Sequence, residues 1–182
     1  MHHSIIISGF GGQGALFSGQ VLTYAAMDSG FQVTWIPSYG PEMRGGVARC
    51  TVIISDEEIG SPIVRNPNVA IVLNNPSMEK FQKELGTGGT LVINSSMVNI
   101  PVERHDIRAF EIPGNQIARE IGDVRMANMV LLGAALAVTR IVGLGAVEQA
   151  LRDHLPERKK QLVEPNINAL GRGFMMAESQ LA

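Results

Sequence analysis

The chain opens on an uninterrupted apolar stretch, Ile5-Ile6-Ile7 between Ser4 and Ser8, with no polar alternation. A strand of this kind is covered on both faces, so it is predicted to lie inside a sheet. From Ala15 the period changes. Leu16, Gly19, Val21, Leu22, Ala25 and Ala26 fall on one helical face, and Gly30 stands where a helix would stop. Residues 32–36 read as a second strand ended by Pro37. Residues 47–55 alternate, and the acidic triplet 56–58 predicts a turn into a short partner over 59–64, a hairpin that would make the sheet mixed. Residues 69–73 are another buried strand, Pro76 begins a helix running to about Leu85, 90–94 is a strand and 106–112 a weaker one closed by Pro113-Gly114. Beyond it the pattern predicts helices over 117–121, 126–141, 146–155 and 157–176. This rhythm predicts an α/β fold with a largely parallel, mixed sheet and a helical C-terminal part. With no repeat or linker, residues 1–182 read as a single domain.

Composition narrows the function more than the fold. A length of 182 residues with 45% apolar positions suffices for one buried core. The net charge of -2 points to no nucleic-acid partner and no anionic membrane surface. Cys50 is the only cysteine, so an iron–sulfur cluster or cysteine-rich zinc site would have to be carried by another polypeptide. The apolar run 129–138, bounded by Arg125 and Arg140, is too short to span a bilayer and reads as a buried helix. The start of the chain is too short for a signal peptide, which makes the cytoplasm the expected location. His2, His3, His105 and His154 lack metal-ligand spacing, and no metal site is expected.

Two glycine-rich turns carry the candidate chemistry, and both are expected on one edge of the sheet. Gly9-Phe10-Gly11-Gly12-Gln13-Gly14 satisfies the G-x-G-x-x-G pattern between a strand and a helix, where free backbone N–H groups favour an anion. Gly11, Gly12, Gln13 and Gly14 are therefore a candidate anion pocket. A tight turn without a ligand explains the same pattern equally well. A nicotinamide site would also need an acid at the end of the second strand, and the chain there reads Ile36-Pro37-Ser38-Tyr39 with no acid before Glu42. The first turn has no Lys followed by Ser or Thr, so it is not a Walker loop. The second turn, Tyr39-Gly40-Pro41-Glu42-Met43-Arg44-Gly45-Gly46, frames a charged pair in which Arg44 offers a planar fork to a carboxylate or phosphate. A weak surface ion pair, or contact with another subunit, are the alternatives.

These two turns, followed by Ser61-Pro62, the late Asn128-Met129-x-x-Leu132-Gly133, and Leu162-Val163-Glu164 with Asn166, together resemble the gamma subunit of 2-oxoacid:ferredoxin oxidoreductases. That family includes subunits for pyruvate, 2-oxoglutarate, 2-ketoisovalerate and indolepyruvate; general likeness leans toward 2-oxoglutarate. The resemblance implies a three-layer α/β/α domain. It also implies a cytoplasmic complex in which alpha and beta subunits hold thiamine diphosphate and iron–sulfur clusters pass electrons, through a ferredoxin-like delta subunit, to ferredoxin. Coenzyme A and a 2-oxoacid would give an acyl-CoA and carbon dioxide, with no cofactor bound by this chain alone and no activity of its own. Tyr39, Gly40, Glu42, Arg44, Gly45, Gly46, Ser61 and Asn128 would face a partner or the active-site cleft. The anion at the first turn would be a phosphate of coenzyme A or thiamine diphosphate. Where relatives often carry an acid before the strand at 69, this chain has Asn68. The rival readings are a free-standing nucleotide-binding module and a purely structural subunit.

Overall fold

The computed structural model describes residues 1–39 and 46–181. Among these, six strands form one sheet: β1 (His2–Phe10), β2 (Gln32–Tyr39), β3 (Val47–Ser55), β4 (Val69–Val72), β5 (Thr90–Asn94) and β6 (Arg108–Ile112), in the order β2-β3-β1-β4-β5-β6. β1, β4, β5 and β6 run parallel, while β3 is antiparallel to both of its neighbours. The sheet is mixed, as predicted, but for a different reason. Residues 59–64 form no strand, and the hairpin predicted there is absent. Both edges of β3 are already taken, since Val52 lies opposite Ile5 on one side and Trp35 on the other, so no ladder remains for a further partner.

The helices are distributed unequally. α1 (Ala15–Asp28), α3 (Gly114–Ile121), α4 (Ala127–Thr139), α5 (Leu144–His154) and α6 (Val163–Ser179) share one core with Ile5, Ile7, Cys50, Val52, Ile54, Ile71 and Val92. The opposite face carries α2 (Asn75–Glu84), whose Met78 and Phe81 pack with Ile6, Ala70, Val72, Leu91 and Ile93, and it is completed by side chains such as Val98 and Ile100 from the irregular stretch 95–107. This is the three-layer α/β/α arrangement. α4 contains no charged residue and every position from Ala127 to Val138 is buried, which explains an apolar run that fits no amphipathic pattern.

Local sequence sets the boundaries. Gly19 lies so close to the sheet that a Cβ there would meet Cys50 Sγ at 2.3 Å, the close approach its small size predicts. Asn74 caps α2 by accepting the Ser77 N–H at 2.9 Å. The predicted helix over 157–176 is divided: Glu157–Leu162 forms a 3₁₀ segment and α6 begins at Val163. Pro165 explains the division, because it has no N–H to continue an α-helical ladder but fits a first turn. Asn68 ties down the start of β1, accepting the Ser4 N–H at 2.9 Å and donating to the His2 carbonyl at 3.2 Å. A carboxylate could perform only the first of these tasks.

Candidate functional site

β1, β2, β4, β5 and β6 all end on the same edge of the sheet, and β3 begins there. The first glycine turn follows β1 on this edge. Gly12 and Gly14 have φ of 95° and 79°, left-handed values that favour glycine. The two glycine turns meet directly: the Gly11 N–H donates to the Gly46 carbonyl at 3.2 Å. Tyr39 at the end of β2 is 71% exposed. Gly40, Glu42, Arg44 and Gly45 lie outside the described residues.

The turn is closed by its own side chain. Gln13 Oε1 accepts the Phe10 N–H at 2.6 Å, and Gln13 Nε2 donates to the Leu73 carbonyl at 3.3 Å. Asn74 Nδ2 also donates to Gln13 Oε1, at 3.4 Å, so the turn is linked to the cap of α2. From the opposite side Asn128, buried at the start of α4, donates to the Gly14 carbonyl at 3.0 Å. The structure therefore joins Gly11, Gln13, Gly14, Gly46 and Asn128. Ser61 is exposed and accepts locally from the Ile63 N–H at 3.2 Å.

Three concavities lie along this edge, and two of them adjoin the turn. One of about 150 Å³ is lined by Gly12, Gln13, Asn94, Asn115 and Arg125. A second of about 190 Å³, beyond Gly12 and Gly14, is lined by Phe17, Asn128, Lys159 and Asn166. It opens at the start of α1, which has no side-chain cap and presents its positive end there. The third, about 360 Å³, lies between the sheet and α2 and is lined by Ser38, Tyr39, Arg49, Lys80 and Phe81. Arg49 and Lys80 both sit over the Phe81 ring, at 5.8 and 5.5 Å from its centroid. At the rim of the first two, the Arg125 guanidinium holds the Asp123 carboxyl below the usual carboxylate range.

Such a site can bind anions and hydrogen-bonding groups; among the described residues it contains no nucleophile paired with a base. Cys50 is buried and burial pushes its thiol up to about 12, so it is neither a nucleophile nor a metal ligand. One buried thiol does not fit an iron–sulfur cluster. No group of three His, Cys, Asp or Glu side chains suited to a metal ion occurs among the described residues, and no helix there is long and apolar enough to cross a membrane. The contributions of Asn74, Asn94 and Asn115 were not anticipated from the sequence. Their signal is a carboxamide just beyond an apolar strand run, or at the first turn of the following helix, which places it on the functional edge.

Residues 4–176 match the family described as pyruvate ferredoxin/flavodoxin oxidoreductase. The chain belongs to this family. Among its members, the 2-oxoglutarate synthase subunit KorC of Methanothermobacter marburgensis is 37% identical over 180 residues, an alignment covering 95% of each chain. The ketoisovalerate oxidoreductase subunit VorA of Methanothermobacter thermautotrophicus is 36% identical over 179 residues. The alignment covers 96% of this chain but only 36% of VorA, so the chain spans about a third of that relative's length. The crystal structure of the keto/oxoacid ferredoxin oxidoreductase gamma subunit from Geobacter sulfurreducens superposes with a TM-score of 0.83 at 31% identity, covering 97% of this chain and 99% of that one.

Proposed function

We propose that this chain is the gamma-type subunit of a 2-oxoacid:ferredoxin oxidoreductase that converts 2-oxoglutarate, coenzyme A and oxidised ferredoxin to succinyl-CoA, carbon dioxide and reduced ferredoxin. The observation that carries this reading is the end-to-end match to a KorC subunit, 95% of each chain, together with the joining of the two glycine turns at Gly11 and Gly46. Alpha and beta subunits would hold thiamine diphosphate, and a delta subunit and ferredoxin would take the electrons, all in the cytoplasm. The lone Cys50 suits that division of labour. Gly11 to Gly14, Tyr39, Gly46 and Asn128 stand on the edge turned toward the partner subunits, and Gly40, Glu42, Arg44 and Gly45 are assigned to the same interface; Ser61, in the segment joining the end of β3 to the start of β4 on the opposite edge, would meet a partner elsewhere. An anion at the first turn is a phosphate of coenzyme A or of thiamine diphosphate.

Purification of the chain from its native cell tests this. Alpha and beta partners should travel with it, and the complex should reduce ferredoxin fastest with 2-oxoglutarate; a chain that elutes alone overturns the reading. Arg44→Ala should weaken assembly or coenzyme A use, and unchanged assembly and turnover would remove the role given to Arg44.

One observation favours a second reading, a subunit whose turns contact only protein. The N–H groups of Phe10 and Gly11 are already engaged within the chain, by Gln13 and Gly46. A structure of the assembled complex with no cofactor atom near either turn would support it. Tight calorimetric binding of NAD, FAD or ATP to the isolated chain would instead favour a free-standing nucleotide-binding module.

A further inference from the structure

Arg49 lies on β3 directly opposite Ser8 of β1 and Ser38 of β2. Along its own strand the next residues on the same face are Val47 and Thr51. This half-buried guanidinium is therefore surrounded on the sheet by hydroxyl and methyl groups, and it has no ion pair among the described residues. A second cation reaches the same place from α2. Lys80 and Arg49 both lie over the ring of Phe81, at 5.5 and 5.8 Å from its centroid, and both line the cavity of about 360 Å³. Among the described residues Lys80 has only Glu84, one helical turn away at 3.8 Å, a weak surface pair. Phe81 is fully buried, so its ring is a fixed floor beneath the two cations.

Two like charges held over one ring repel each other, and a contact with the ring face neutralises neither. An anion seated between them relieves that repulsion and gives the Arg49 guanidinium the oxygen partner its planar fork is shaped for. A carboxylate brings one negative charge to two cations; a phosphate monoester brings nearly two at pH 8. The rest of the lining is largely apolar, formed by Tyr39, Val47 and Pro76, with Ser38 adding a hydroxyl. A cavity of this size suits a small molecule better than a bare ion. We infer that it binds a phosphate monoester with an aromatic or apolar body. The phosphate sits between Arg49 and Lys80, and the body lies against Tyr39, Val47 and Pro76. None of the lining residues belongs to the first glycine turn, so this site is separate from the anion assigned to that turn.

Titration calorimetry of the full chain at pH 8 and low ionic strength tests this with four probes: phenyl phosphate, methyl phosphate, inorganic phosphate and benzoate. They separate the contribution of the ring from that of the second charge, and an ester from the free ion. Phenyl phosphate should bind saturably, at least about tenfold tighter than each of the others. Lys80→Gln, at the surface, and Arg49→Gln, with its fold checked by circular dichroism, should each weaken it by about tenfold or more. Lys83→Gln removes an equal charge from the same helix outside the cavity and should leave the affinity unchanged. No binding of phenyl phosphate, equal binding of inorganic phosphate or benzoate, or unchanged affinity in Lys80→Gln overturns the inference. A loss in Lys83→Gln as large as that in Lys80→Gln overturns it too, since net charge alone would then govern binding. The titration needs no other subunit, so its outcome is independent of whether the chain assembles into a complex.

Discussion

Asn128 and Gly14 are 114 positions apart in sequence and joined by one hydrogen bond of 3.0 Å. The contact is also steric: a Cβ on Gly14 would meet Asn128 Nδ2 at 2.5 Å. With its φ of 79°, Gly14 is constrained twice, by its backbone and by this neighbour. Gly14→Ala should cost about 2 to 4 kcal/mol, the left-handed penalty plus the clash. Asn128→Ala removes both the bond and the obstruction. Chemical denaturation of the double variant should therefore show less destabilisation than the two single losses added together, as coupled neighbours do.

The crossing of α4 and α6 gives a second prediction, in which three glycines behave oppositely. A Cβ on Gly133 would lie 1.9 Å from the Leu170 carbonyl oxygen, and one on Gly173 would lie 1.9 Å from that of Val130. Backbone cannot yield as a side chain can. Gly133→Ala and Gly173→Ala should each cost about 3 kcal/mol or more despite the better helix propensity of alanine. Gly171, in the same helix as Gly173, has open space around its Cβ position. Gly171→Ala should stabilise by about 0.5 to 1 kcal/mol, and thermal unfolding of the three variants separates the cases.

Much of this architecture was legible in the sequence because burial leaves a periodic trace. The unbroken apolar runs at Ile5-Ile6-Ile7 and at residues 69–73 became β1 and β4, and Gly30 ended α1 with its N–H bonded to the Met27 carbonyl. The missed hairpin at 59–64 shows what a local pattern lacks: the alternation in β3 is satisfied by partners far away in the chain. The first turn was legible by its glycines, but its closure depends on Leu73 and Asn128, contacts that only the packed fold creates. Glu42 and Arg44 were singled out by sequence and lie outside the described residues.

Cys50 yields a prediction about pH. Its thiol, which donates to the Ala15 carbonyl at 3.4 Å, is raised by burial from 9.0 to about 12. Below pH 9 it is neutral in both the folded and unfolded states. Above pH 9 the unfolded chain loses this proton while the folded chain keeps it, so this group makes the fold progressively less stable toward pH 12. Thiol alkylation at pH 8 should be negligible in the native protein and complete after unfolding in guanidinium. Ready labelling of the native state would contradict the burial of this side chain.

The last prediction concerns the carboxamide of Gln13. It satisfies the Phe10 N–H at 2.6 Å and the Leu73 carbonyl at 3.3 Å, and it receives Asn74 at 3.4 Å. Gln13→Ala removes all three contacts at once and leaves the Phe10 N–H without its acceptor. The loss should be about 1 to 3 kcal/mol of stability, the usual cost of unmaking partly buried polar contacts. A local effect should accompany the global one. Hydrogen exchange at the Phe10 amide should accelerate far more than exchange at Ile6 or Ile7 in the middle of β1, because the turn opens without the sheet. If Gln13 also keeps the turn from acting as an anion cradle, pyrophosphate titrated into Gln13→Ala should bind more tightly than to the unaltered chain. Equal exchange at Phe10 in the two proteins would show that the side chain does not hold the turn closed.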